Sequence, residues 1–291
     1  MIEILEGTRE TVSYSPHFRV RLYLNQEMEN YPIHWHPAVE IIMPLENIYT
    51  AVVIGEKHIL NPRDILVIPP GELHELYAPE SGRRMILQFD SAILYQLDGF
   101  SSSMSLLGSS IVIRAEQHKE LHASLEALLL QIMNEYFSDA LLKEAAAFSL
   151  LIQFFVQLGR NYVSGENRFP HTRTGKQHKY VDMFLEICTY VNEHCTEDIS
   201  IEHVAARAGF SKFHFIRLFK QFTGSSYYAY LNKRKIMNAE KLLMEPDLSI
   251  TEVAMRSGFV SLSTFNRVFK SYKKCTPTQF KNLQGVHRTN T

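Results

Sequence analysis

Short runs rich in β-branched and aromatic residues alternate with turn formers over the first third of the chain. RVRLYL at 19–24, VEIIM at 39–43, YTAVVI at 49–54, DILVIP at 64–69 and RMILQF at 84–89 are parted by Asn47, Gly55, Asn61, Pro62, the run Pro69-Pro70-Gly71 and Gly82. Strands this short, with turn chemistry in every gap, predict an antiparallel sandwich or barrel. The period then changes. Residues 115–160 hold no proline and predict two helices that part near Ser138 and Asp139. In the first, Leu121, Leu125, Leu128 and Ile132 recur at alternating steps of four and three, which lays one apolar seam along a helix. Residues 161–178 are polar and carry Gly165, Pro170 and Gly175, the composition of a linker. From Tyr180 to Leu283 the spacing is helical again.

Inside that last stretch the chain repeats itself. SIEHVAARAGF at 200–210 matches SITEVAMRSGF at 249–259 with an offset of 49, and RLFK at 217–220 matches RVFK at 267–270 with an offset of 50. The second copy therefore has one extra residue in its turn. Ser200 and Ser249 are N-caps, and Ser249 with Glu252 makes a capping box. Gly209 and Gly258 stand where a helix stops in a left-handed conformation, with Phe210 and Phe259 under the turn. A second helix follows, capped by Ser211 or Ser261, with Phe215 and Phe219 or Phe265 and Phe269 facing inward. Two short helices about a glycine turn make a helix-turn-helix, expected here at 200–222 and 249–272, whose second helix enters the DNA major groove. Between the copies, Tyr227 to Leu243 predicts one helix stopped at Pro246. At about 1.5 Å per residue it spans roughly 25 Å, enough to hold two recognition helices about one DNA turn (~34 Å) apart.

The length of 291 residues exceeds the usual single-domain range of about 100–200, so two domains are expected: 1–160, a linker at 161–178, and 179–291. The net charge of -1 conceals a split. Residues 1–175 carry 13 Lys and Arg against 21 Asp and Glu, a net of -8, while residues 176–291 carry 17 against 10, a net of +7. Such asymmetry suits one half meeting a polyanion. The three cysteines, Cys188, Cys195 and Cys275, lack CxxC spacing and any disulfide framework, which fits a reducing compartment. The opening MIEILEGTRE has no apolar core for a signal peptide, and no run nears the ~18 apolar residues of a membrane span. A cytoplasmic protein with no membrane partner is expected.

Residues 180–283 resemble the DNA-binding domain of the AraC/XylS family, through the two glycine-phenylalanine turns, the Phe-Lys ending of each recognition helix, and Thr276-Pro277 closing the second unit. Lys274 replaces the usual Gly, Lys235 a common Arg and Ser226 a common Pro, none of them at groove-facing positions. The resemblance implies that Phe213, Ile216 and Arg217 face bases, with Leu262, Ser263, Asn266 and Arg267 their counterparts. Arginine reads guanine bidentately, asparagine reads adenine, and the apolar pair meets thymine methyls. Lys212, Lys220, Lys270 and Lys273 are placed for phosphates, which fix register.

In the N-terminal half, His34, His36 and Glu40 followed by the run Pro69 to His74 resemble the two cupin motifs, HxHxxxE and PxGxxH. Strand alternation puts His34 and His36 on one face and Trp35 on the other. In metal-binding cupins three imidazoles and the carboxylate converge on one ion. On an AraC-type regulator the barrel instead implies an effector pocket, so His34, His36, Glu40 and His74 are expected to bind a small molecule, a sugar being one candidate. No resident metal or cofactor and no catalysis are expected. The fold expected is a two-domain α+β chain: a cupin or jelly-roll-like β-barrel with two helices, then an all-α double helix-turn-helix. The function expected is a ligand-responsive regulator of promoter DNA, a homodimer that meets RNA polymerase where it activates, with the 121–132 seam either the dimer interface or packed on the chain's own barrel. The other reading of the same motifs is a cupin metalloenzyme, isomerase or dioxygenase, with an accessory DNA-binding domain.

Overall fold

The computed structural model describes residues 4–165 and 174–283, apart from 7, 16, 17, 27, 91–93 and 95–109. The chain parts between Glu166 and Asn167 into two compact units. In the first, a small hairpin of β1 (Leu5–Glu6) and β2 (Arg9–Glu10) precedes two antiparallel sheets. The strands are β3 (Val20–Asn25), β4 (Tyr31–His34), β5 (Val39–Pro44), β6 (Tyr49–Val53), β7 (Glu56–Leu60), β8 (Ile65–Ile68), β9 (His74–Tyr77), β10 (Arg84–Phe89) and β11 (Ile111–Ile113). One sheet runs β11-β8-β5-β10-β3 and the other β4-β9-β6-β7. Their inner faces share one core, in which Ile42, Leu66, Ile68 and Ile86 of the first meet Tyr31, Tyr49, Ala51, Val53, Leu60 and Leu76 of the second. This is the jelly-roll-like barrel that the spacing predicts, with β3, β5, β6, β8 and β10 where the apolar runs lie. The shorter or more polar β4, β7, β9 and β11 lack such a run.

Two helices follow, α1 (Lys119–Phe137) and α2 (Lys143–Gly165), parted at Ser138 as expected. The seam of Leu121, Leu125, Leu128 and Ile132 is buried within the single chain. It is packed into the unit's own core together with Leu151, Phe154 and Leu158 of α2, all buried. The helix pair is also fastened to the barrel: His122 Nε2 lies 2.8 Å from the Arg63 carbonyl oxygen, and the Phe155 and Phe89 rings meet at a tilt, 5.6 Å between centroids. Of the two readings of the seam, the structure shows packing in the protomer's own core: an apolar helix face needs a cover, and α2 is that cover. The linker expected at 161–178 is also narrower than its composition suggests. Helix α2 runs to Gly165 and α3 (Thr174–Glu193) begins inside it, while 166–173 lie outside the described residues.

The second unit contains α3, α4 (Ile201–Arg207), α5 (Lys212–Thr223), α6 (Tyr227–Leu243), α7 (Ile250–Arg256), α8 (Leu262–Lys273) and α9 (Pro277–Leu283). Ser200, Ser211, Ser249 and Ser261 each accept a backbone N–H at the third helical position, and the Ser249–Glu252 capping box forms in full. Ser226, in place of a proline, caps α6 in the same way. Phe184 of α3 collects Phe210, Phe215, Phe219 and Phe222 into one aromatic core. Phe259, Phe265, Phe269 and Phe280 form its counterpart under the second unit.

Helix α6 is tied to both copies. Tyr227 Oη donates to the Ile199 carbonyl at 2.9 Å, Tyr272 Oη donates to the Ala229 carbonyl at 2.9 Å, and Lys235 Nζ donates to the Gly258 carbonyl at 2.5 Å. At that turn only glycine fits. Gly258 has φ +83°, and a Cβ there would sit 2.7 Å from the Thr196 backbone. The carbonyl that fixes Lys235 and the loop before α4 thereby meet at one turn, which sets the second copy against the first.

Lys274 is the other exception. It ends α8 at φ +58°, the left-handed cap that Gly224 supplies at +74° after α5. A side chain in that region costs about 1 kcal/mol. Lys274→Gly is therefore expected to raise the stability of this unit by about 0.5–1 kcal/mol in urea unfolding. An unchanged or lowered midpoint would mean that the strain is already relieved by the Lys274 Nζ bond to the Ser271 carbonyl at 2.9 Å.

Candidate nucleic-acid interface and candidate metal centre

Each recognition helix is two-faced because its phenylalanines are spaced three or four apart. In α5, Phe215, Leu218, Phe219 and Phe222 are buried, while Lys212, Phe213, Ile216, Arg217 and Lys220 are exposed. In α8, Phe265, Val268 and Phe269 are buried, Ser263, Asn266, Arg267 and Lys270 are exposed and Leu262 is half-buried. All ten expected DNA-contact positions thus reach the outer faces of the two helices, Leu262 least fully. Phe213 is 83% exposed, a state an aromatic ring keeps only at a cost unless a partner covers it. Arg217 and Arg267 carry no ion pair among the described residues. Two lysines are less free than the sequence suggests: Lys212 Nζ sits 2.5 Å from Glu202 Oε1, and Lys273, expected at a phosphate, is nearly buried at 2.7 Å from Glu240 Oε1. Sequence reasoning also passed over Val260, the extra residue of the second turn, which stands 90% exposed just before α8. The one-residue slip between the two offsets was the signal for it.

The second site lies between the sheets of the barrel. Register across β4 and β9 sets His34 opposite His74, and register across β5 and β10 sets Glu40 opposite Gln88. His36 follows on the segment between β4 and β5. All five side chains are buried. The ring centroids of His34 and His74 are 4.1 Å apart, and those of His36 and His74 5.0 Å. Each imidazole places Nδ1 on a carbonyl oxygen: His34 on Pro32 at 2.7 Å, His36 on Ala38 at 3.1 Å and His74 on Glu72 at 2.8 Å. A carbonyl only accepts, so each Nδ1 carries a proton and each Nε2 is left to face inward. The Nε2 atoms of His36 and His74 and Glu40 Oε2 are buried without a hydrogen-bond partner among the described residues, and His74 Nε2 is 3.2 Å from Glu40 Oε2.

The electrostatics match. Burial, with His74 and His36 facing it, pushes His34 down to about 3, which keeps it neutral. Burial also works on Glu40, but the imidazoles of His36 and His74 outweigh it and hold the carboxyl well below the usual range. Burial works to lower His36 as well, but Glu40 and Glu10 outweigh it and push that group up, so the positive centre that the ionised Glu40 faces is a proton on an imidazole or a metal ion. The ligand atoms of His34, His36 and His74 lie within 4.8 Å of one another, a spacing that a slight inward turn closes to the ~2.1 Å Zn–N or ~2.0–2.2 Å Zn–O bonds of a shared ion. Backbone carbonyls on Nδ1 are the usual outer support of a metal-bound histidine. The residues present therefore fit a divalent transition metal. Trp35, expected to point outward, is only 4% exposed because β2 lies alongside it, with the Trp35 N–H donating to the Thr8 carbonyl at 2.8 Å.

Residues 204–282 match the family described as a helix-turn-helix domain, and residues 19–151 match the AraC-like ligand binding domain. A probable transcription factor of Proteus vulgaris, PqrA, is 41% identical over 85 residues, 29% of this chain and 70% of that protein. An HTH-type transcriptional regulator of Staphylococcus aureus is 26% identical over 239 residues, 79% of this chain. The chain spans only 30% of that relative's length. ToxT of Vibrio cholerae, a solved structure, is 15% identical with a TM-score of 0.49, over 91% of this chain and 98% of its own. Among the described residues no helix is long and apolar enough to cross a membrane.

Proposed function

This chain belongs to the AraC/XylS family of DNA-binding transcriptional regulators, and we propose that it reads promoter DNA with α5 and α8 in successive major grooves, under the control of a metal ion held in its barrel. The observation that carries the DNA reading is the matched exposure of Arg217 and Arg267 at equivalent places on two helices whose other faces are buried. One chain thus supplies the pair of recognition helices that single helix-turn-helix proteins obtain by dimerising. Reading needs no second copy, and a homodimer would pair through a surface other than the seam. The protein acts where the chromosome is, in the cytoplasm, and meets RNA polymerase there where it activates.

For the barrel, the convergence of three buried imidazoles and the Glu40 carboxylate supports an ion as the effector in place of the small organic molecule expected from sequence. The cavity is lined by Glu10, Tyr31, His34, Glu40 and Gln88, with Leu76 and Ile86 on its apolar side, so its polar groups gather where the imidazoles converge. Two measurements on the full-length protein test the reading. Operator affinity should fall linearly in log K against log salt, as counterion release requires, and stripping metal with a chelator should change it. Elemental analysis after gentle purification should find one equivalent of Mn, Fe, Co, Ni or Zn per chain, lost in His74→Ala. A metal-free protein with an organic molecule in the barrel would return the site to the small-molecule reading.

A further inference from the structure

Glu10 lies outside both histidine motifs, on β2, yet its side chain enters the same cavity. It is 2% exposed. Its Oε2 is 3.5 Å from His34 Nε2 and 3.9 Å from His36 Nε2, and it accepts Gln88 Nε2 at 3.1 Å. The same amide nitrogen donates to Glu40 Oε1 at 3.2 Å. One neutral side chain therefore holds two buried carboxylates to one point, on which the imidazoles also converge. The position is built: the Glu10 N–H donates to the Trp35 carbonyl at 2.9 Å, so β2 is stitched to the chain between His34 and His36. When both are ionised, two carboxylates so placed repel each other in a medium that screens them poorly, and a divalent cation between them removes that cost.

Building on the metal reading above, we propose that Glu10 is a further ligand of the ion held by His34, His36, His74 and Glu40. The set is then three imidazole nitrogens and two carboxylate groups. A second oxygen donor favours ions that accept five or six ligands with carboxylate among them, Mn(II) and Fe(II), over Zn(II), which is content with four. The chemical class of the regulator's signal follows: a redox-active divalent ion of the manganese or iron kind.

Full-length wild type, Glu10→Gln, Glu10→Asp and His74→Ala, each stripped of metal, are titrated with Mn(II), Co(II) and Zn(II). Trp35 emission reports whether each variant keeps the strand beside it. Wild type is expected to bind one equivalent of each ion. Loss of even an outer-sphere partner costs about 10–100-fold in metal affinity, so Glu10→Gln should bind Mn(II) at least about tenfold more weakly. Its Zn(II) affinity should change much less, and the visible band of bound Co(II) should intensify as the coordination number drops. Glu10→Asp, which keeps the charge one methylene further back, should fall between. If Glu10→Gln binds all three ions as wild type does, with the same Co(II) spectrum, Glu10 is no ligand and this proposal fails alone. Wild type that binds none of them overturns the metal reading and this proposal together.

Discussion

Replacing Leu125 by Glu is expected to unfold the N-terminal unit rather than to separate two copies. Leu125 is 0% exposed, as is Ile132 on the same face of α1, and α2 supplies buried Leu151, Phe154 and Leu158 to the same core. Leu125→Ala removes most of the side chain from a packed core and leaves a cavity, at a cost of about 2–5 kcal/mol. Set against a total stability of about 5–15 kcal/mol, that variant should fold and melt markedly earlier. Leu125→Glu adds the desolvation of a carboxylate without a partner, several kcal/mol more, and exhausts the remainder. Trp35 is the chain's one tryptophan and lies buried in this unit, so its emission should shift to the red in the Glu variant and not in the Ala variant. A Leu125→Glu protein with native emission, a cooperative melt and half the mass in sedimentation would put the seam back on the surface.

That outcome bears on what a sequence can carry. The period of Leu121, Leu125, Leu128 and Ile132 states that one helix face is apolar but not what covers it, and both an intramolecular helix and a second protomer satisfy the pattern. The DNA-binding half was far more legible, because its information is local. Caps, glycine turns and helical spacing are set within a few residues, and the repeat gives each feature twice. Even there, the ion pairs that occupy Lys212 and Lys273 depend on residues brought near by folding, Glu202 ten positions back and Glu240 on α6. In the barrel, the strands with strong apolar runs could be read, whereas β4 contains Pro32 and β7 carries Glu56, Lys57 and His58. The motifs delivered His34, His36, Glu40 and His74. Gln88 and Glu10 came only with the register, since a strand's partner is not written in its own residues.

Arg217→Ala and Arg267→Ala are each expected to weaken operator binding by about 1–3 kcal/mol, roughly 5–150-fold, with a much smaller loss on random duplex. The argument rests on geometry shared by the two copies. Each arginine lies two residues after a buried phenylalanine, Phe215 or Phe265, and one before a buried aliphatic, Leu218 or Val268, which turns it outward. Neither is held by a carboxylate among the described residues, so the guanidinium fork is available for a guanine edge. Lys220→Ala and Lys270→Ala serve as the contrast: as phosphate contacts they should weaken operator and random DNA alike and lower the salt slope by about one each. Because the arginines sit on different helices on either side of α6, the double variant should show the sum of the two losses within about 0.5 kcal/mol. Phe213→Ala should be felt only where a thymine methyl lies under α5, since an exposed ring offers apolar contact and no hydrogen bond. Equal losses for Arg217→Ala on operator and random DNA would make that arginine a phosphate contact and leave base reading by α5 to Phe213 and Ile216. The same result for Arg267 would leave α8 with Asn266 as its reader, and adenine in place of guanine as the base it selects.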